Sequence, residues 1–327
     1  MPPTSSELRA QLPSTLAEWR LPKGPEKTWI AAAALWEAVR PVFERARIDI
    51  WRSVDLLYQR ARPGEKYLSS GFAYLTPLRE VDWAMDTKVF NHYNGLVRGA
   101  TTAEGHVVMV RIVAIGDEGK THMDILRSIA QGVISLRTDN HAVPLWQEVH
   151  LEDIVFARRV LADRRNGDAN DWSMKALAFI HSIGIAHRDT DKSNFLVQWH
   201  PESLATMRVP LSRPRVYLND FEHAFKHEPG TTSTSVTIPG PYLRPIAPEM
   251  RSGEPYEPFK PDVWQLVNGF SDFQSTIPAI EDVLEAMTEP EASKRPSAAE
   301  ARDQLAKVIN SMLPETLLIA PIVTTFD

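Results

Sequence analysis

From Thr28 to Arg47 the apolar residues Ile30, Leu35, Trp36, Val39, Val42 and Phe43 recur near helical spacing, which predicts an amphipathic helix running through Pro41. The run Val107-Val108-Met109-Val110-Arg111-Ile112-Val113 is rich in β-branched residues and predicts a buried strand ending near Gly116. Helical spacing returns over Met123 to Ile129, with Gly132 placed to close that helix. Two more strands are predicted around Val149 and across Ile154, Val155 and Phe156. Beyond residue 165 the pattern is mainly helical, beginning with Trp172 to His181 and a cap at Gly184. Strands first and helices later make an α+β chain, and periodicity leaves open whether these form stacked layers or two lobes. Residues 1–26, rich in Pro, Ser and charge, read as a poorly ordered lead-in.

Composition narrows the function classes. A chain of 327 residues with 43% hydrophobic and 24% charged residues can bury a sizeable core, in one large domain or two ordinary ones. With 36 Lys+Arg against 42 Asp+Glu the net charge is -6, so no overall basic field attracts nucleic acid or an anionic membrane. The absence of cysteine excludes disulfides, thiol catalysis and zinc-cysteine sites, and fits a reducing compartment. Met1 to Glu7 lacks the charged start and apolar core of a secretory signal. Ile30 to Val39 is broken by Glu37, and Leu317 to Val323 falls far below the roughly 20 residues of a spanning helix. A soluble intracellular protein, cytoplasmic by default, is the expectation.

The chemistry is concentrated in His187-Arg188-Asp189-Thr190-Asp191-Lys192-Ser193-Asn194, which has the H-R-D-x-x-x-x-N spacing of a protein-kinase catalytic loop. Phosphoryl transfer needs an oriented hydroxyl and cations that neutralise phosphate oxygens. Asp189 can accept or orient the hydroxyl proton, while the amide oxygen of Asn194 and the carboxylate of Asp220, in Asp220-Phe221-Glu222, are hard ligands suited to Mg²⁺. Either Asp189 or Asn194 alone reads as a solvated turn residue. Asp220 follows an apolar Val216-Tyr217-Leu218 and an inserted loop from His200 to Pro214.

Three later features continue the pattern: Ala247-Pro248-Glu249, Asp262-Val263-Trp264-Gln265-Leu266 and Lys294-Arg295-Pro296. With Gly105-His106-Val107-Val108-Met109-Val110, Asn140-His141-Ala142-Val143-Pro144 and Ser252-Gly253-Glu254-Pro255-Tyr256-Glu257-Pro258-Phe259-Lys260, the segment from about 95 to 305 resembles the protein-kinase-like proteins of basidiomycete fungi. The resemblance implies a two-lobed α+β protein-kinase-like fold, with a helical extension over 27–84, a small strand-rich N-lobe over 85–160, a mainly helical C-lobe over 161–312 and a tail over 313–327. It implies ATP and Mg²⁺ as cofactors and a protein substrate or protein partner, with Asp189, Arg188 and Lys192 in the catalytic loop, Asn194 and Asp220 on the metal, and Arg111 toward the nucleotide. It also implies an ion pair between Glu249 and Arg295, and hydrogen bonds from the catalytic-loop backbone to Asp262.

Several positions depart from that pattern. No G-x-G-x-x-G loop precedes the Val107 strand; Gly99 to Gly105 occupies its approximate place and normally reads as an ordinary hairpin. Arg111 stands at the strand lysine, as a phosphate contact or a structural arginine, and His122 falls where the neighbouring helix carries its glutamate. Asp189-Thr190-Asp191 displaces the loop lysine by one, to Lys192, which reads as a compensating group or a plain surface lysine. Glu222 replaces a flexible glycine. The polar run Thr231 to Ser235 could carry phosphates for Arg188, or be a polar loop. Three functions stay open: an atypical Ser/Thr kinase, a pseudokinase scaffold and a small-molecule phosphotransferase.

Overall fold

The computed structural model describes residues 3–21, 28–53, 58–60, 89–91, 95–160, 170–197, 216–227, 236–237, 244–270 and 275–313. The inserted loop from His200 to Pro214, the polar run Thr231 to Ser235, the whole 61–88 stretch and the C-terminal tail beyond 313 lie outside them. The fold is mixed α+β, and the chain divides into two compact units. The first comprises residues 1–167 and 195–224, and the second residues 168–194 and 225–327.

The first unit is built on a curled antiparallel sheet. Its strands are β1 (Ile48–Ile50), β5 (Val97–Thr102), β6 (Val107–Ile115), β7 (Leu145–Leu151) and β8 (Ile154–Val160), in the order β1-β5-β6-β8-β7. A smaller sheet joins β2 (Arg52–Ser53), β3 (Tyr58–Arg60) and β4 (Val89–Asn91). The helix predicted from Thr28 is α3 (Thr28–Arg45), with Pro41 inside it. Its Trp36 and Phe43 pack with Phe156 of β8, at ring separations of 5.9 and 5.0 Å from Phe156. Such aromatic contacts dominate core energetics because each ring removes so much apolar area from water. Helix α4 (Lys120–Ala130) follows β6 and buries Met123, Ile125, Leu126 and Ile129. Beyond it, Asn140 is fully buried and donates to the carbonyls of Ile129 (2.8 Å) and Ile134 (2.7 Å), tying the end of α4 to the chain that enters β7.

The lead-in expected to be poorly ordered is corrected over residues 4–21. It forms α1 (Ser5–Ala10) and α2 (Leu16–Arg20), each opened by a capping box, Thr4 with Glu7 and Thr15 with Glu18. Reciprocal side-chain bonds of this kind satisfy amide groups that a short helix otherwise leaves orphaned. Trp19 is fully buried against Trp36, edge to face at 6.0 Å, so α2 belongs to the core of this unit.

The unit is completed by β10 (Phe195–Val197) and β11 (Val216–Leu218), an antiparallel pair. His141 donates from Nδ1 to the Val216 carbonyl at 2.6 Å, and Leu218 N donates to the His141 carbonyl at 2.7 Å. The short strand that leads into Asp220 is thereby anchored along its length.

The second unit is mainly helical: α5 (Asn170–Ser182), α6 (Phe259–Gly269), α7 (Pro278–Met287) and α8 (Ala298–Ser311). Helix α5 packs on α8, with Met174, Leu177, Leu266, Met287, Ala301 and Leu305 buried. A two-residue pair, β9 (Ile185–Ala186) with β12 (Phe225–Lys226), follows α5. Arg295, with no side-chain exposure, pairs bidentately with Glu249 at 2.7 and 3.2 Å. Among the described residues no helix is long and apolar enough to cross a membrane.

Candidate functional site

The sequence-predicted site residues fall on both units. Arg188, Asp189, Lys192 and Asn194 belong to the second, Arg111 and Asp220 to the first.

In the second unit, α5 ends at Ser182, Gly184 turns the chain at φ +76°, β9 follows, and the chain enters His187-Arg188-Asp189. Arg188 adopts φ +65°, a left-handed conformation that costs a non-glycine residue about 1–2 kcal/mol. Asp262, in the first turn of α6 and fully buried, offsets that cost: its carboxylate accepts from His187 N at 2.7 Å, Arg188 N at 2.6 Å and His181 Nε2 at 2.9 Å. Thr190 Oγ1 adds a bond to the Asp262 carbonyl at 2.7 Å. Charge-assisted bonds from buried amides are among the stronger ones available.

Past this clamp the chain forms a 3-10 turn, Lys192–Asn194, with Ser193 N on Asp191 Oδ1 at 2.9 Å. Asn194 is buried and donates from Nδ2 to both the carbonyl and Oδ2 of Asp189, each at 2.8 Å. Its nitrogen is thus committed to Asp189, and its oxygen accepts no hydrogen bond among the described residues. Lys192 is half-buried on the same turn.

A cation unforeseen in the sequence meets Asp189 here. Arg244 donates from Nε to Asp189 Oδ1 at 3.2 Å and from Nη2 to Ser193 Oγ at 2.8 Å, and lies 3.3 Å from Asp191 Oδ1. The sequence signal was faint: a lone arginine a few residues before Ala247-Pro248-Glu249. Arg188 itself donates to the Thr237 carbonyl, beside a two-way backbone bridge between Val236 and Tyr256.

In the first unit, Arg111 projects from β6, an inner strand of the sheet, and is 7% exposed. It donates from Nη1 to Asp220 Oδ1 at 2.7 Å and from Nη2 to Glu222 Oε2 at 2.5 Å. Burial works against its charge, but the two carboxylates outweigh that and hold Arg111 above the ordinary guanidinium value. Glu222 also accepts from Arg20 Nη2, at the end of α2, at 2.8 Å. His122 on α4 is buried, and Asp124, the acidic residue of that helix, faces Arg127 at 3.1 Å. Arg111 therefore has an Asp220–Glu222 pair where the sequence suggested the loss of its glutamate. The sequence reading of Glu222, the replacement of a flexible glycine, did not include its role as a charge partner of Arg111.

Asp220 sits at φ +63°, ψ +63° and opens the 3-10 turn Phe221–His223, which lies against α4. Asn219 just before it accepts from Arg159 Nη1 at 2.6 Å, and Arg159 Nη2 donates to the Val143 carbonyl at 3.0 Å. Burial, with the like charge of Arg111, pushes Arg159 down to about 9. Keeping a cation there costs stability, and the bonds to Asn219 and Val143 are what it secures for the Asp220 turn.

Where a phosphate-binding loop was sought, β5 and β6 form a tight hairpin. Thr102 N donates to the His106 carbonyl and Gly105 N to the Thr102 carbonyl, both at 2.9 Å, with Gly105 at φ +86°. A left-handed glycine closing a three-residue turn is ordinary hairpin chemistry. Among the described residues no group of three or more His, Asp or Glu side chains gathers as for a metal. The oxygen of Asn194 in the second unit and that of Asp220 in the first are each of the hard kind that Mg²⁺ takes, an ion that commonly has one or two protein ligands and fills the rest with water and phosphate. Compared with known proteins, the chain matches no family model and no curated protein.

Proposed function

We propose that the protein is an ATP- and Mg²⁺-dependent phosphotransferase of the protein-kinase-like type, acting on Ser/Thr hydroxyls of a protein. The observation that carries this reading is the clamp on the H-R-D loop. Asp262 takes the amides of His187 and Arg188, and Asn194 fixes Asp189 through two bonds. A loop with no chemistry to perform gains little from holding an arginine in a left-handed conformation beside a buried carboxylate. The order of elements supports the same reading: a strand carrying the basic residue, a helix directly after it, and then a helical unit with the catalytic-type loop. The Glu249–Arg295 pair is the contact the resemblance implied, and favours the protein-substrate class over small-molecule phosphotransferases.

In this reading Asp189 orients the substrate hydroxyl and accepts its proton, held in place by Asn194 and Arg244. Asn194 and Asp220 are each a residue to which the resemblance assigns a Mg²⁺ contact, and the ion's role is to neutralise phosphate oxygens as charge develops. Arg111 would contact the nucleotide phosphates. Incubation with labelled ATP, Mg²⁺ and panels of proteins and small alcohols tests the reading. Transfer to protein that vanishes in Asp189→Ala is the expected result; transfer to neither panel, or transfer unaffected by the substitution, overturns it.

A second reading, a scaffold with weak or no catalysis, is favoured by two features. The Asp220 carboxylate is engaged by Arg111, and the hairpin at Gly105 offers no glycine-rich cradle. A thermal-shift titration with ATP separates the two: an Mg²⁺-dependent shift that Asp220→Asn removes supports catalysis, and no shift in the wild type supports the scaffold.

A further inference from the structure

We propose that Glu222 is a positioning residue that retains Arg111 when Asp220 turns to the metal, and that Arg20 of the N-terminal helix α2 sets Glu222 for this task. The inference rests on the phosphotransferase reading above. It starts from a conflict within the first unit. Arg111 is a buried guanidinium and needs an anion, since a charge removed from water without a partner is strongly disfavoured. Asp220 supplies one, at 2.7 Å from Nη1. Asp220 is also the carboxylate that would hold Mg²⁺. Were it Arg111's sole partner, metal and guanidinium would compete for the same oxygens, and the metal would leave a buried cation beside a second cation.

Glu222 removes the conflict. It holds Nη2 of the same guanidinium at 2.5 Å, through a carboxylate that is not a metal candidate in the H-R-D and Asp-Phe pattern. Arg111 therefore keeps an anion whichever way Asp220 turns. Helix α4 cannot supply that anion, because it carries His122 at the expected position and its Asp124 faces Arg127. Glu222 is itself fixed by Arg20, which donates to the same Oε2 at 2.8 Å. Arg20 is anchored in turn, since its carbonyl accepts from Gly95 N at 3.0 Å and its neighbour Trp19 is fully buried. The four side chains, two arginines and two carboxylates, sum to zero formal charge. Glutamine at 222 leaves a net positive group with Asp220 as its only anion.

The test measures binding rather than turnover. Full-length protein is titrated with Mg²⁺ at fixed ATP, and the Mg²⁺ concentration giving half of the ATP-dependent thermal shift is compared across variants. Glu222→Gln is expected to raise that midpoint by roughly tenfold, the scale of one lost close ion pair. Combining it with Arg111→Met, at an ATP concentration raised to saturate the double variant and so offset the lost phosphate contact, is expected to return the Mg²⁺ midpoint toward the wild-type value, because the competing cation is gone. A brace that merely stabilises the fold predicts no return, only a lower melting temperature. An unchanged midpoint in Glu222→Gln, or a raised midpoint that Arg111→Met does not relieve, overturns the proposal. Should Glu222→Gln fail to fold, Glu222→Asp, which keeps the charge on a shorter arm, is expected to raise the midpoint by a smaller factor, and no rise overturns it. If the wild type shows no Mg²⁺-dependent shift, the phosphotransferase reading itself falls; a wild-type shift with unresponsive variants removes only the role of Glu222.

Discussion

At the scale of single residues, Asp262 and Arg295 show how much of the second unit depends on buried charge being fully used. Asp262 is inaccessible to solvent and satisfies two backbone amides and His181. Alanine there takes the acceptor from the buried His187 amide and the part-buried Arg188 amide, and a stranded buried group costs about 1–3 kcal/mol. Asp262→Ala is therefore expected to lower unfolding free energy by about 3 kcal/mol, read from the chemical denaturation midpoint, and to abolish phosphate transfer because His187 and Arg188 lose their clamp. Arg295 differs in degree. It keeps bonds to the carbonyls of Glu289 (2.9 Å) and Lys260 (2.8 Å) when Glu249 is removed. Glu249→Ala should accordingly cost about 2–4 kcal/mol, below the full penalty of an isolated buried charge. Measured on the same denaturation assay, a change under 0.5 kcal/mol would mean that the pair is solvent-screened in solution.

At the scale of elements, the legible parts were those written in local spacing. Helix α3 and strand β6 follow from runs of apolar residues, and α5 with its Gly184 end from helical periodicity. The two N-terminal helices were missed because six and five residues are too few for a period to register against a Pro- and Ser-rich background. The usable signal was chemical: Thr4-x-x-Glu7 and Thr15-x-x-Glu18 are capping-box sequences. What they secure is measurable through Gly95, where a Cβ would lie 2.1 Å from the Trp19 carbonyl oxygen. Gly95→Ala must push α2 away from its site, and overpacking of this kind costs about 1–3 kcal/mol. A fall in melting temperature is expected, and since Arg20 directly follows Trp19, the contact to Glu222 should loosen with it. An alanine variant that melts with the wild type would show that α2 is not seated as described.

At the scale of the whole chain, motif order was legible, and so were the pairings implied with the motifs, Glu249 with Arg295 and Asp262 with the loop backbone, while the partners of Arg111 and Asp189 were not. His187-Arg188-Asp189, Asn194 and Asp262 could be assigned to one constellation because their spacing is itself the pattern. The partner of Arg111 could not, because Glu222 lies far along the chain and only tertiary structure brings it to β6; the sequence displayed the loss at His122 without its replacement. Arg244 at Asp189 was hidden for the same reason. The first unit is discontinuous, and this has a consequence for folding. Residues 1–167 contain Arg111, Arg159 and His141, while their partners Asp220, Glu222, Asn219 and Val216 arrive only with residues 195–224. A fragment ending at 167 would have to bury two guanidiniums without those partners, a penalty of several kcal/mol that is comparable to a domain's entire stability. It should therefore keep a near-native far-ultraviolet circular dichroism of mixed helix and strand with weak near-ultraviolet signal and strong dye binding, the marks of lost packing. Arg111→Met and Arg159→Met in that fragment remove the stranded charges and are expected to recover part of the near-ultraviolet signal. A cooperative, native-like melt of the unmodified fragment would instead mean that the ion pairs on the Asp220 turn serve the site alone and contribute nothing to holding the sheet.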